Sequence, residues 1–207
     1  MLKLFSAPAS PFARKVRIVI RELQLTNIEI INVEGANPIN LPPPELAQNA
    51  LAKIPTLHVP GLGSLFGSAV IVQYLLSLAP PQSAAALIPS APNARFVVLT
   101  REALADGANE ALVLVRYETF IRPEQLRWKE WIDGQMGKVT RALDEMEQIQ
   151  AKSNDDAFDL GSIAAVCVIG YLELRFPSVD WRFGRPQLAK WYDNIKEIYS
   201  SVNETSA

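Results

Sequence analysis

The chain has 207 residues, enough for one large domain or two small ones with a sizeable core. Apolar residues make up 49% and charged residues 20%, which excludes general disorder, and a formal net charge of −2 leaves no basic surplus for binding nucleic acid. A single cysteine, Cys167, and a single histidine, His58, exclude a disulfide framework and a Cys/His metal cluster, so no metal is expected. The first ten residues hold no apolar leader, and the uncharged run Gly161 to Leu172 falls short of the ~20 residues that span a bilayer. A soluble, cytoplasmic protein without membrane contact is expected.

Leu2 and Leu4 open a short strand, and Pro8 and Pro11 bracket the turn after it. Phe12, Val16, Val19, Ile20 and Leu23 then recur at the spacing of one helix face, with Ser10 as N-cap and Pro11 at the first helical position. The β-branched run Ile28 to Val33 reads as a second strand, parallel to the first through a right-handed crossover. Glu34 to Asn49, rich in Pro and Asn, allows one short irregular helix. Thr56 to Val59 and Ser64 to Phe66 read as strands of a hairpin turned by Pro60-Gly61-Leu62-Gly63, and Ile71, Tyr74, Leu75 and Leu78 as a closing helix. The order is β-α-β-α-β-β-α over residues 1–79.

An uncharged, proline-rich stretch at 80–91 reads as a linker. Beyond it, residues 92–207 keep helical spacing throughout, in Leu104, Ala108, Ala111, Leu112 and Val115, and in Trp128, Trp131, Ile132, Val139 and Met146, with Pro123 between the two helices. Ser162 is expected to cap a third helix whose buried stripe is Ile163, Val166, Cys167, Gly170, Tyr171 and Leu174. Pro186 starts a fourth, with Leu188, Trp191, Tyr192, Ile195 and Tyr199. The fold class is α/β plus all-α, a small mixed domain followed by a helical bundle.

Two segments in the first half, Ser10-Pro11-Phe12-Ala13-Arg14-Lys15-Val16 and Asn49-Ala50-Leu51-Ala52-Lys53-Ile54-Pro55-Thr56-Leu57, together with Arg116-Tyr117-Glu118, Arg122-Pro123 and Arg141-Ala142-Leu143-Asp144, carry a resemblance. In order and spacing the chain resembles the soluble glutathione transferases, in particular bacterial and fungal members with a serine motif. The resemblance implies a thioredoxin-like first domain that binds glutathione as co-substrate, and a helical domain with a pocket for the second substrate. It implies a homodimer, for which the uncharged run Ile54 to Ala94 offers apolar surface. It also implies a cis Ile54-Pro55 bond, with the backbone at Lys53, Ile54 and Pro55 turned to the cysteinyl part of glutathione, which docks as a short added strand.

Within that resemblance Ser10 is the candidate thiol activator. A hydroxyl donating to sulfur near the positive end of a helix stabilises the thiolate and lowers a pKa that is otherwise about 8.5. Ser6, at the end of the first strand, is the substitute; Phe5 supplies no tyrosine hydroxyl. Gly67-Ser68 stands where the family has Glu-Ser or Asp-Ser, so Ser68 keeps a hydroxyl and an N–H for the γ-glutamyl carboxylate. Gly67 offers the ammonium nothing, and a partner subunit or Asp106 would have to compensate. Phe12, Arg116 and Tyr117 are candidates for the electrophile pocket. Arg14, Lys15 and Arg17 read as a solvated helix face, Cys167 as a core thiol, His58 as an ordinary strand residue, and the four tryptophans as packing residues. The reading is a transferase that adds the glutathione thiolate to apolar electrophiles, or removes it from conjugates. The alternative is a non-catalytic binding protein on the same fold. Mixed-disulfide chemistry lacks a cysteine near Ser10.

Overall fold

The computed structural model describes residues 1–34, 37–40, 43–152 and 157–207, which form two compact units, Met1–Leu87 with Glu204–Ala207, and Ile88–Asn203. Of the irregular segment expected at 34–49, residues 35–36 and 41–42 lie outside the described residues.

In the first unit β1 (Leu2–Ser6), α1 (Pro11–Glu22) and β2 (Ile28–Asn32) form the expected strand–helix–strand crossover. β3 (Thr56–Val59), β4 (Gly63–Phe66) and α2 (Ser68–Leu78) complete it, with sheet order β2-β1-β3-β4. β1 runs parallel to β2, with Leu4 opposite Ile30, and antiparallel to β3, with Leu4 opposite Leu57. Between β2 and β3, the short irregular helix expected there is, among the described residues, the 3-10 turn Pro44–Leu46. The prolines on either side of so short a segment leave no length for an α-helix.

The hairpin closes between Val59 and Gly63, with Leu62 N–H donating to the Val59 carbonyl at 3.1 Å. Pro60 followed by Gly61 at φ +82° suits a type II turn, whose third position needs a left-handed backbone. Leu4, Val16, Val19, Leu57, Ile71 and Leu75 are wholly buried and form the core of this unit. Each such side chain contributes roughly 1.5–3 kcal/mol by leaving water.

The expected solvated face of α1 is corrected. Arg14 and Lys15 are buried, and Arg14 Nε lies 3.5 Å from Thr205 Oγ1, while Arg21 pairs with Glu204. The chain's last residues belong to this unit and cover that side of α1. A contact over such a sequence separation leaves no local signal.

The stretch expected as a linker carries α3 (Pro81–Leu87). The second unit consists of α4 (Pro92–Arg116), a π-helical turn (Tyr117–Ile121), a 3-10 turn (Glu124–Leu126), α5 (Lys129–Lys152), α6 (Leu160–Arg175), α7 (Pro186–Ile198) and α8, Ser200–Glu204, which reaches the unit's border. α6 is the central helix. It is buried all round from Leu160 to Ile169 rather than along one stripe, as its lack of charge requires, whereas Leu174 is 38% exposed.

The expected cap of α6 is also corrected. Asp159, not Ser162, is the N-cap, its carboxylate accepting from Ser162 N–H at 2.9 Å, while Ser162 Oγ donates to the Ala157 carbonyl at 3.1 Å. A carboxylate satisfies the first-turn N–H and also suits the positive helix end. Arg101 on α4 lies 3.7 Å from the same carboxylate. Glu147 on α5 caps α7 from outside, accepting from Leu188 N–H at 2.7 Å and Gln187 N–H at 3.2 Å, and Asp144 accepts from Arg185 Nη2 at 2.6 Å. Cys167, Trp181 and Trp191 are buried as expected, but Trp128 is 62% exposed. It precedes α5 instead of lying on its buried face, and its backbone N–H donates to Glu118.

Candidate functional site

In the first unit the residues singled out by sequence gather at the ends of β1 and β3 and at two helix N-termini. Ser10 caps α1 as expected, its Oγ accepting from Ala13 N–H at 3.2 Å. The acceptor role leaves the hydroxyl hydrogen available to a second group, and Ser10 is half-buried. Ser6 is 1% exposed, and among the described residues its Oγ has no hydrogen-bond partner. Such a hydroxyl costs about 1–3 kcal/mol when left unsatisfied. Phe12, on the first turn of α1, is half-buried.

Ile54-Pro55 is cis and immediately precedes β3. Ile54 forms no backbone hydrogen bond among the described residues, since the ladder to β1 begins at Thr56 opposite Phe5. The loop before it is tied down by Asn49, which is 3% exposed. Asn49 Nδ2 donates to the Lys53 carbonyl at 2.9 Å and to Thr56 Oγ1 at 2.8 Å, and its Oδ1 accepts from Leu51 N–H at 2.9 Å. Thr56 Oγ1 donates in turn to the Lys53 carbonyl at 2.7 Å. Asn49 thus positions the loop before Pro55, a role that an Asn four residues before Lys53 does not signal in the sequence. Lys53 itself is exposed. Ala52 stands at φ +48°, a left-handed backbone that glycine adopts with less strain.

α2 begins with Gly67 at φ +81° as N-cap, without any side-chain cap. The first backbone bond of the helix is Ile71 N–H to the Gly67 carbonyl at 3.0 Å, so the amides of residues 68–70 remain open to an anion. Ser68 is 8% exposed at this end.

In the second unit Arg116 and Tyr117 stand where α4 passes into the π-helical turn, closed by Arg122 N–H to the Tyr117 carbonyl at 3.0 Å. The Arg116 guanidinium lies over the Phe120 ring at 3.6 Å from its centroid. Burial, and then the like charge of Arg175, lower the Arg116 pKa from its ordinary value. Burial raises the Tyr117 phenol, and burial foremost pushes the Tyr171 phenol up to about 12. Glu118 accepts from Trp128 N–H at 2.9 Å and from Arg122 Nε at 2.7 Å, and these bonds, the Trp128 one first, hold its carboxyl below the usual range. Asp106 is half-buried on α4, in this unit. Among the described residues no group of His, Cys, Asp and Glu side chains could hold a metal ion, and no helix is long and apolar enough to cross a membrane.

Comparison with known proteins agrees with this arrangement. Residues 4–83 match the model of the glutathione S-transferase N-terminal domain, and residues 129–194 that of its C-terminal domain. The chain belongs to the glutathione S-transferase family.

Among solved members, a glutathione transferase family member from Pseudomonas fluorescens Pf-5, described with bound glutathione, is 37% identical. The alignment covers 100% of this chain and 98% of that one, with a TM-score of 0.87. A glutathione S-transferase from Methylobacillus flagellatus, also with glutathione bound, is 37% identical over 100% and 99% of the two chains, with a TM-score of 0.87. The uncharacterized GST-like protein YibF of Escherichia coli K12 is 34% identical, covering 94% of this chain and 93% of its own. The thioredoxin-like first unit and the helical second unit are those of this family of glutathione transferases.

Proposed function

We propose that the protein binds glutathione in its first unit and transfers the thiolate to small electrophiles, as a cytoplasmic enzyme of detoxification type. The observation that carries this reading is the half-buried Ser10 hydroxyl at the N-terminus of α1, with a hydrogen free to donate to sulfur. Ser68 and the open amides at the start of α2 suit the γ-glutamyl carboxylate. The unpaired backbone of Ile54, between Lys53 and Pro55, suits the cysteinyl segment. Glutathione bound in the Pseudomonas and Methylobacillus relatives supports the same ligand. In the reaction the sulfur–carbon bond forms as the thiolate lone pair attacks. Either a leaving group departs, or a proton is taken up at the neighbouring carbon. Phe12, Arg116 and Tyr117 are assigned to the electrophile.

Calorimetric titration with glutathione tests the binding half. Ser68→Ala is expected to weaken affinity by about tenfold, the effect of a charge-assisted hydrogen bond. Gly67→Asp is expected to strengthen it by supplying a partner for the ammonium. Because Gly67 stands at φ +81°, the same change costs about 1–2 kcal/mol of fold stability. An Asp variant that binds no better than the parent counts against this placing of the ammonium. The glycine also favours the second reading, a non-catalytic binding protein, because a site without that carboxylate holds glutathione less firmly.

A homodimer belongs to the same proposal. Leu62, Phe66 and Val70, on the hairpin, β4 and α2, are 62%, 39% and 54% exposed and offer an apolar face. Light scattering at micromolar concentration should give twice the chain mass, and 22.9 kDa would exclude the dimer.

A further inference from the structure

Asn49 uses every hydrogen-bonding group that it has. Its backbone N–H donates to the Leu46 carbonyl at 2.9 Å, and its own carbonyl accepts from Ala52 N–H at 2.8 Å. Oδ1 takes Leu51 N–H, and the Nδ2 hydrogens go to the Lys53 carbonyl and Thr56 Oγ1. Thr56 closes a triangle by donating its hydroxyl to that same carbonyl. Both lone pairs of the Lys53 carbonyl are then occupied, by donors at 2.9 and 2.7 Å. Asn49 is 3% and Thr56 1% exposed, so these bonds form away from bulk water, where they are stronger.

Thr56 is also the first residue of β3 in the sheet, opposite Phe5 on β1 and Phe66 on β4. The triangle therefore ties residue 53 to a fixed point of the sheet, and Ile54 and Pro55 span the two anchors. Proline fixes φ at one of the spanning residues, which leaves little freedom at the other. Ile54 sits in that span with its backbone unpaired among the described residues.

We propose that the triangle of Asn49, Lys53 and Thr56 pre-organises the Ile54 backbone for a peptide ligand, with Asn49 and Thr56 as positioning residues for glutathione. Neither side chain needs to touch it. This rests on the reading that the cysteinyl segment of glutathione docks on Ile54. Ordering the backbone of one residue on binding costs roughly tenfold in affinity, and here that ordering is complete once the chain folds. The occupied Lys53 carbonyl holds the loop, and Ile54 is the group that the loop presents.

S-methylglutathione is the probe, titrated calorimetrically against the full chain, because it keeps the peptide and lacks the free thiol. Thr56→Val keeps the branched shape, loses the hydroxyl, and is expected to weaken binding by about five- to tenfold. Asn49→Ala is expected to weaken it by about tenfold or more, and Thr56→Ser, which restores the hydroxyl, to bind like the parent. Both losses act on one carbonyl, so the double variant should bind little worse than Asn49→Ala alone. Either change combined with Ser68→Ala, at the other end of the peptide, should be additive. With glutathione itself, KM should rise while kcat at saturation and the bound thiol pKa stay those of the parent. A role confined to fold stability would lower Tm without that split, and Thr56→Val carries the test if Asn49→Ala fails to fold.

Thr56→Val binding like the parent, or Thr56→Ser binding as weakly as Thr56→Val, overturns the proposal. A thiol pKa that moves with the affinity also overturns it, because the residues would then act on sulfur. A parent protein that binds no S-methylglutathione up to about 10 mM overturns the glutathione reading and this proposal together. One that binds it with the expected variant pattern, yet transfers no thiol, refutes the transferase reading alone.

Discussion

Replacing Ser10 by alanine should leave glutathione affinity nearly unchanged and lower the rate of thiol conjugation by up to about a hundredfold at pH about 6.5. The bound follows from the ionisation of the thiol: with a pKa of about 8.5 it is only about 1% thiolate at that pH. An activating hydrogen bond acts on that fraction. Ser10 also caps α1 through Ala13 N–H, so the variant should lose about 1 kcal/mol of stability. Ser10→Gly separates the two roles. Glycine at an N-cap costs only a few tenths of a kcal/mol, yet it removes the hydroxyl completely. Stopped-flow conjugation and thermal unfolding of both variants check this: both should be slow, and only the alanine variant clearly less stable. Two variants as fast as the parent would reduce Ser10 to a helix cap and shift the activator to Ser6 or to a backbone N–H.

Gly161→Ala should cost more stability than the same change at Gly107, Gly134 or Gly137. A Cβ at this position would lie 2.6 Å from Arg101 Cβ, and 3.3 Å from both the Val98 carbonyl and Asp159 Oδ1. The nearest atom is attached directly to the backbone of α4, so relief requires α4 and α6 to move apart, not one side chain to rotate. Overpacking of this kind costs about 1–3 kcal/mol, which lowers Tm by roughly 3–10 °C for a chain of this size. Differential scanning calorimetry reads it directly. Gly107, with open space at its Cβ position, is the control, where alanine should be neutral or stabilising.

What sequence could and could not foretell follows from how far apart the interacting residues lie. The β1–α1–β2 crossover, the Pro60-Gly61 hairpin and the Ser10 cap each depend on residues within a few positions of one another. Their chemistry therefore stands in the string of letters. The Arg14 contact depends on Thr205 near the end of the chain, and the cap of α7 on Glu147 from α5, forty residues away. The α6 cap was misplaced for another reason. Asp159 and Ser162 have the same spacing as a capping pair read from Ser162 onward, and only backbone geometry decides which is the cap. Half of the candidate site was legible because it follows short motifs, Ser10-Pro11 and Ile54-Pro55. The stacking of Arg116 on Phe120 was not, since it depends on the π-helical turn that follows α4.

The central claim is that this fold both binds glutathione and ionises its thiol. The most direct measurement is the pKa of the bound thiol, followed by thiolate ultraviolet absorbance as pH is varied at saturating protein. The expected result is a bound thiol titrating well below the free value of about 8.5, and returning toward it in Ser10→Ala. Bound glutathione that titrates like free glutathione in the parent protein would contradict the account and leave a binding protein on a transferase fold.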